Sequence, residues 1–283
     1  MIKTAFAATL VVLFTFCAPA NAQFSYTPKS SEEVGLYLGT EIWQSAASGS
    51  FGEENTLIDF NLKKEQRINF FIDVKHPLSF LPHARISKTT VDTSGQTTFT
   101  QNFSFIDKTF PTGNDIEASF NVNYVDYTLY YEIFNNEIFS FELGLSGRDL
   151  NGDVAFTGII KGTNSCNDPN PAPGSPCTDE SESRIPIGNL KTDDTTPMLY
   201  LAGHISLPFP DLSAFAQANI LSIKDHTLSD YQMGFNYELM EIMMMDVNLT
   251  LGYRVVNIKL KNLNSLSTDL EFKGAFVGMV AHF

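Results

Sequence analysis

The stretch Gly274-Ala-Phe-Val-Gly-Met-Val-Ala-His-Phe283 ends the chain and carries its clearest alternating pattern. Successive side chains of a strand point to opposite faces, so one face carries Ala275, Val277, Met279, Ala281 and Phe283. A chain that ends inside a strand needs a partner for that strand. A membrane barrel supplies one, because its last strand pairs with its first and its terminal aromatic residue lies at the interface. The last strand of a soluble sandwich is the alternative that this stretch leaves open.

The other end of the sequence is typical of an export signal. Lys3 precedes the apolar run from Leu10 to Phe16, and Ala20-Asn-Ala22 forms a small-x-small cleavage site. The apolar run is too short for a membrane helix, which needs about twenty apolar residues. We therefore expect residues 1–22 to be a cleaved signal peptide and residues 23–283 to form one barrel domain without a lipid anchor.

Composition favours a β-domain and excludes some partners. The formal net charge of −14 argues against nucleic acid as a partner. Phe and Tyr are abundant, as suits strands and interfacial belts. The mean hydropathy of −0.05 is near neutral, as expected where each lipid-facing residue alternates with a polar one.

Two cysteines remain after the signal, Cys166 and Cys177, in a segment rich in Pro, Gly, Asn and Asp. An even pair in an exported protein favours a disulfide. Two sulfurs without a nearby His or third Cys make an incomplete zinc site. We expect a structural disulfide within a surface loop, and neither a metal nor a cofactor.

Apolar residues recur with a period of two along most of the mature chain, as in strands with one apolar face. Short links at 76–82, 134–137, 208–211 and 240–245 alternate with longer polar loops at 44–66, 151–196, 224–229 and 261–268. Tight turns at one end and long loops at the other are typical of a membrane barrel. The sequence thus predicts an all-β, antiparallel, up-and-down transmembrane β-barrel.

The strand number depends on residues 83–117. One long strand followed by an outer loop gives ten strands. Hairpins at Asp92-Thr-Ser-Gly95 and Asp149-Leu-Asn-Gly152 would give twelve, and both even numbers return the termini to the same side. We favour ten, because twelve strands would place the link 107–116 on the short-turn side.

The strand phases predict an inward row of polar side chains. The candidate lumen-lining residues are Glu41, Asp73, Lys75, Arg85, Glu132, Glu142, Arg148, His204, Glu238 and Arg254. A barrel of about ten strands is narrow, so opposite charges can pair across it and fill it. An ion-paired interior is therefore expected, with a narrow passive pore for small solutes as the alternative.

A hydrolase at the outer rim is the third possibility, and it depends on Asp225 and His226 with Asp230 close by. Barrel hydrolases need an acid–base partner near the rim. Adjacent strand residues face opposite ways, so Asp225 and His226 would cooperate only if the loop turns. We expect no enzyme activity, and we expect His204 to satisfy an interior hydrogen bond rather than act as a base.

Several segments resemble one known family. They are Val34-Gly-Leu-Tyr-Leu-Gly-Thr-Glu-Ile-Trp-Gln44, His76-Pro-Leu-Ser-Phe-Leu-Pro82, Asp92-Thr-Ser-Gly95, Asp126-Tyr-Thr-Leu-Tyr-Tyr-Glu132, Pro197-Met-Leu-Tyr200 and Asp269-Leu-Glu-Phe-Lys-Gly-Ala-Phe-Val-Gly278. Together they look like the proteobacterial outer-membrane β-barrel family associated with the GlyGly C-terminal sorting system. The resemblance implies a location and a fold, since the family has no established activity.

The expected location is the outer membrane of a Gram-negative bacterium. The expected partners are outer-membrane lipid and, during insertion, the barrel assembly machinery. We expect a structural role or contacts made through outer loops, for which the Glu53-Glu54 segment and the acidic, Pro-rich loop around Cys166 and Cys177 are the candidate surfaces.

Overall fold

A computed structural model describes most of the chain from Val34 to Phe283. The described residues are 34–53, 56–98, 103–105, 108–110, 113, 115–161, 182–223, 226–242, 245–263 and 266–283. The signal peptide expected over residues 1–22 lies outside these ranges, as do Cys166 and Cys177. Cleavage and the disulfide therefore stay predictions.

The described residues form strands. These are β1 (Gly35–Glu53), β2 (Thr56–Asp59), β3 (Lys64–Lys75), β4 (His83–Thr90), β5 (Thr93–Thr98), β6 (Phe103–Phe105), β7 (Lys108–Phe110), β8 (Asp115–Asn135), β9 (Phe139–Lys161), β10 (Glu182–Ser206), β11 (Leu212–Ile223), β12 (His226–Ile242), β13 (Met245–Leu263) and β14 (Leu266–His282). Within those same ranges, no helix is long and apolar enough to cross a membrane.

Ten strands close into one antiparallel barrel. They are β1, β3, β4 with its continuation β5, and β8 to β14. The last strand pairs with the first, from Tyr37 opposite His282 to Glu53 opposite Leu266. Beyond β14, the N–H of Phe283 donates to the Leu36 carbonyl at 2.9 Å, and the Leu36 N–H donates to the Phe283 carbonyl at 3.1 Å. The predicted closure of the barrel by the final strand is confirmed.

The alternative with twelve strands is wrong. β4 and β5 both pair with β8, so Asp92 marks a break in one continuous barrel strand rather than a hairpin. The second proposed hairpin, at 149–152, lies in the middle of β9, where each residue pairs with β10. With ten strands, the start of β1 and the end of β14 both lie on the side that carries the short turns.

We call the end with the short turns the turn side and the opposite end the loop side. The turn side carries the turns between β3 and β4, β8 and β9, and β10 and β11. The start of β1 and the end of β14 lie there too. Short turns of this kind face the periplasm in outer-membrane barrels, and the longer loops face outward.

The outer surface of the turn-side half is apolar. Phe70, Leu129, Leu145, Met233 and Leu251 are each more than half exposed, and their strand neighbours are buried or half-buried inside. A contiguous apolar surface is unfavourable in water. This band is the lipid-contacting surface that the alternation predicts.

The wall continues on the loop side well past this band. β8, β9 and β10 contain 21, 23 and 25 residues, whereas about 9–11 tilted residues cross a membrane. The long loop expected over 151–196 is therefore wrong in its bounds, since β9 runs to Lys161 and β10 begins at Glu182. The loop expected over 44–66 is likewise mostly strand. These segments keep their alternation, but their apolar residues, such as Leu150 and Phe156, point inward.

The seam between β1 and β14 is close at Gly274. A Cβ on Gly274 would collide with the carbonyl oxygen of Gln44, so the two backbones approach more closely than a larger residue would permit. The indole N–H of Trp43 donates to the Gly274 carbonyl at 3.1 Å across the same seam. The smallest residue is thus required where the barrel closes.

Candidate functional site

The barrel interior is the candidate site, and the ten predicted lumen residues lie there. Glu41, Asp73, Glu142, Arg148 and Arg254 are buried, and the half-buried members are Lys75, Arg85, Glu132, His204 and Glu238. The structure distributes them over two zones. A third zone, nearer the loop side, is apolar.

The apolar zone, which we call the apolar plug, is built around four phenylalanines: Phe51, Phe60, Phe120 and Phe156. The ring of Phe51 on β1 lies 5.4 Å from that of Phe156 on β9 and 5.7 Å from that of Phe120 on β8. Neither strand is a neighbour of β1 in the sheet, so these contacts cross the lumen. All four side chains are at most 2% exposed, and they belong to one buried cluster.

Phe60 enters the plug from the connection between β2 and β3. The backbone of Asn61 has a positive φ of 49°, and its N–H donates to the Asp59 carboxylate at 2.9 Å. The N–H of Lys63 then donates to the Ser94 carbonyl at 3.0 Å. This turn directs Phe60 inward, 5.6 Å from the Phe156 ring. The sequence pattern does not reveal this turn, because it predicts a polar outer loop over residues 44–66.

On the turn side of the plug lies a four-charge layer, which is formed by Asp126, Arg148, Asp230 and Arg254. Arg148 donates to both oxygens of Asp126 at 2.7 and 2.8 Å and to Asp230 at 3.0 Å. Arg254 donates to both oxygens of Asp230 at 2.9 and 2.8 Å. Arg148 on β9 and Asp230 on β12 are not sheet neighbours, so this bond also crosses the lumen.

Neighbouring polar groups complete the layer. The Tyr124 hydroxyl donates to Asp230 at 2.8 Å, and the guanidinium of Arg148 lies 3.8 Å from the centre of the Tyr124 ring. Arg254 also donates to the Thr89 hydroxyl at 3.0 Å and lies 3.8 Å from Glu41. The charges are thus hydrogen-bonded on several sides, as buried charges require. The predicted ion-paired interior is present here.

The turn-side zone contains two further charged pairs, each held by a tyrosine. Asp73 lies 3.4 Å from Arg85 and accepts a hydrogen bond from Tyr130 at 2.8 Å. Glu142 pairs with Lys75 at 2.9 Å and accepts a hydrogen bond from Tyr200 at 3.0 Å. These pairs form the wall of a cavity that widens toward the short turns.

This cavity, which we call the turn-side pocket, has a volume of about 270 Å³. Its lining includes Glu41, Phe71, His204, Phe215 and Glu238 in addition to the two charged pairs. Nδ1 of His204 is buried and has no hydrogen-bond partner, so the predicted interior hydrogen bond is not formed by this nitrogen. The pocket lining thus combines charged groups with aromatic rings.

Of the rim residues considered for catalysis, the structure describes His226 and Asp230, whereas Asp225 lies outside the described residues. Asp230 lies four residues from His226 on the same strand, about 14 Å away at roughly 3.4 Å per residue, and is bonded to two arginines. Throughout the described part of the chain, no group of three or more His, Cys, Asp or Glu side chains could hold a metal ion.

The acidic half of the four-charge layer is what sequence reasoning missed. Asp126 has the same inward phase as Glu132 on β8, and Asp230 has the same inward phase as Glu238 on β12. Following each alternation along its strand would have found both carboxylates.

Comparison with known proteins supports the fold. The structure is similar to the outer membrane protease OmpT from Escherichia coli, with a TM-score of 0.52 and 10% identity over 93% of this chain and 100% of that chain. It also matches the translocator domain of the autotransporter NalP from Neisseria meningitidis (TM-score 0.34, 10% identity, 89% and 90% covered). The Pseudomonas putida toluene transporter TodX matches with a TM-score of 0.25 and 7% identity, over 87% and 89%.

At these identities the likeness concerns the fold alone. The fold is that of an outer-membrane β-barrel. No protein-family model matches this sequence, and no curated protein matches it either. The resemblance to the family associated with the GlyGly sorting system therefore stays a prediction.

Proposed function

We propose that this protein is a non-conducting barrel of the Gram-negative outer membrane, which acts as a scaffold for contacts made on its loop side. The observation that carries the proposal is the pair of successive layers across the lumen, the apolar plug and the four-charge layer. The proposal assigns no catalytic role to the chain.

The two layers oppose solute passage by different means. The apolar plug offers no hydrogen bonds to a hydrated ion, so an ion entering it would lose solvation that nothing replaces. In the four-charge layer, each carboxylate already accepts two or more hydrogen bonds from arginines. Both layers would have to open before a solute could cross, which makes the narrow pore the weaker alternative.

The long wall on the loop side supports the scaffold role. β8, β9 and β10 carry about twice the residues that a membrane crossing needs. A wall of paired strands has already lost its conformational entropy on folding, so it loses little more when a partner binds, unlike a free loop of equal length. Such a rim is suited to presenting the connecting segments to an extracellular partner.

Conductance across a planar bilayer tests the proposal directly. The refolded protein is expected to insert without discrete current steps, because both layers fill the lumen. As a comparison, a variant with Phe60→Ala, Phe120→Ala and Phe156→Ala is measured in the same bilayers. Truncating the three rings empties the plug and leaves the four-charge layer as the barrier that still has to open, so brief openings are expected.

Insertion must be verified independently in both samples, by protease protection of the membrane-embedded strands. Regular current steps from inserted, unmodified protein would contradict the proposal and support the narrow pore.

A further inference from the structure

We propose that the turn-side pocket binds a small organic cation that carries an apolar or aromatic body. The pocket opens toward the short turns, so its ligand would enter from the periplasm. Whether the lumen conducts does not affect this binding, because the pocket lining contains no residue of the four-charge layer or of the apolar plug.

The first argument is the charge of the lining. Among the residues that the structure describes, five carboxylates line the pocket, Glu41, Asp73, Glu142, Glu238 and Asp246, against two permanent cations, Lys75 and Arg85. The two lining histidines, His204 and His282, leave an excess of carboxylates even when both carry a proton. His282 lies 3.4 Å from Asp246.

The lining cations are already paired with carboxylates, and this explains why the excess of carboxylates attracts a ligand cation. Lys75 and Arg85 are already engaged by Glu142 and Asp73 at 2.9 and 3.4 Å. Arg254 also lies 3.8 Å from Glu41, but it bonds to both oxygens of Asp230. A concave site with apolar walls focuses the field of its charges, so the pocket has a negative potential that favours cations over anions.

The second argument is the set of aromatic rings. Tyr37, Phe71, Tyr200 and Phe215 line the same pocket. The ring of Phe71 already holds a cation, since the guanidinium of Arg85 lies 3.8 Å from its centre. The Phe215 ring lies 6.2 Å from His204, whose Nδ1 has no hydrogen-bond partner. Aromatic faces attract organic cations and also pack against an apolar body.

The third argument is size. The volume of about 270 Å³ lies just below the range of about 300–1,000 Å³ that is usual for small-molecule sites. The pocket therefore suits a ligand with a single ring or a short alkyl chain. A polymer or a folded partner would not fit.

Three probes of nearly equal shape test the charge preference: benzylammonium, benzyl alcohol and benzoate. Titration calorimetry with the full refolded protein in a neutral detergent, at 150 mM salt, measures each affinity. Benzylammonium is expected to bind about tenfold or more tightly than benzyl alcohol, which corresponds to about 1.4 kcal/mol. Benzoate is expected to bind most weakly. Equal affinities, tighter binding of benzoate, or no measurable binding of benzylammonium would overturn the inference.

Matched charge variants locate the site. Glu238→Gln combined with Asp246→Asn removes two lining carboxylates and is expected to weaken benzylammonium binding about tenfold. Glu137→Gln combined with Asp211→Asn makes the same charge change at two exposed residues at the same end of the barrel, outside the pocket lining. This control is expected to bind within about twofold of the unmodified protein, since salt screens exposed charges over about 8 Å.

Gel mobility before and after boiling establishes that both variants are folded. If the lining variant fails to fold, Phe215→Leu replaces it, because loss of the ring is expected to weaken benzylammonium more than benzyl alcohol. Equal binding by the lining and control variants, or an equal loss for both probes in Phe215→Leu, would place the ligand elsewhere and reject the pocket.

Discussion

At the scale of single residues, the interior shows what alternation can and cannot reveal. The strand phases identified Arg148 and Arg254 as inward-pointing, and both are buried. Alternation states only which face a side chain occupies, so it could not show that Asp230 bridges these two arginines from a third strand. Such contacts depend on the stagger of the strands, which period-two patterns do not contain.

Asp230→Asn tests the importance of this bridge. The substitution leaves two buried guanidinium groups with less compensating charge, and breaking a buried pair costs about 3–5 kcal/mol. We expect a clearly lower urea midpoint, measured by circular dichroism of the protein refolded in lipid vesicles.

Asp269→Asn is the matched control for this substitution. Asp269 pairs with Lys259 at 2.6 Å, but both side chains are about half exposed, and such pairs contribute at most about 1 kcal/mol. Similar midpoints for the two variants would show that the four-charge layer contributes no special stability.

At the scale of strands, the predicted strand bounds were accurate in the lipid-contacting part of the wall and inaccurate in the part on the loop side. Within the lipid band, apolar residues point outward, as along 68–74 of β3. On the loop side, the wall extends past the lipid band and the apolar side chains fill the interior, so apolar and polar faces exchange. Segments such as 151–161 therefore looked like polar loop, although they are strand. This exchange of the apolar and polar faces could be recognised from the sequence only if the position of the membrane boundary were known.

Gly274→Ala tests the close approach at the seam. A Cβ at this position meets the backbone of Gln44, which cannot move without disturbing the pairing of β1 with β14. We expect a lower yield of folded barrel and a lower urea midpoint.

Gly147→Ala serves as the control, since a Cβ there meets no atom within 4 Å and the residue also lies inside a barrel strand. Equal folding yields for the two alanine variants would show that the seam tolerates a side chain.

At the scale of the whole molecule, the sequence predicted the closed barrel, its ten strands and the side on which the termini meet. These features follow from local patterns and from parity, which a single sequence contains. The apolar plug does not follow from such patterns. Phe60 reaches it through a turn at Asn61, and the positive φ of that residue leaves no periodic signal in the sequence. The turn-side pocket likewise results from the combined stagger of the strands.

Heat-dependent gel mobility tests the closed sheet. Because every barrel strand is hydrogen-bonded on both sides along much of its length, we expect the unheated protein to resist detergent unfolding and migrate faster than the boiled protein. Identical mobility of the two samples would be incompatible with a closed barrel.

The hydrogen bond of Trp43 across the seam has a practical consequence. Trp43 is the chain's single tryptophan, it is fully buried, and its indole N–H reaches the carbonyl of Gly274 only when the first and last strands have met. Its emission therefore reports on the final stage of assembly in the unmodified polypeptide. A stopped-flow fluorescence trace can separate the moment of closure from the earlier adsorption of strands to a bilayer, with no attached dye.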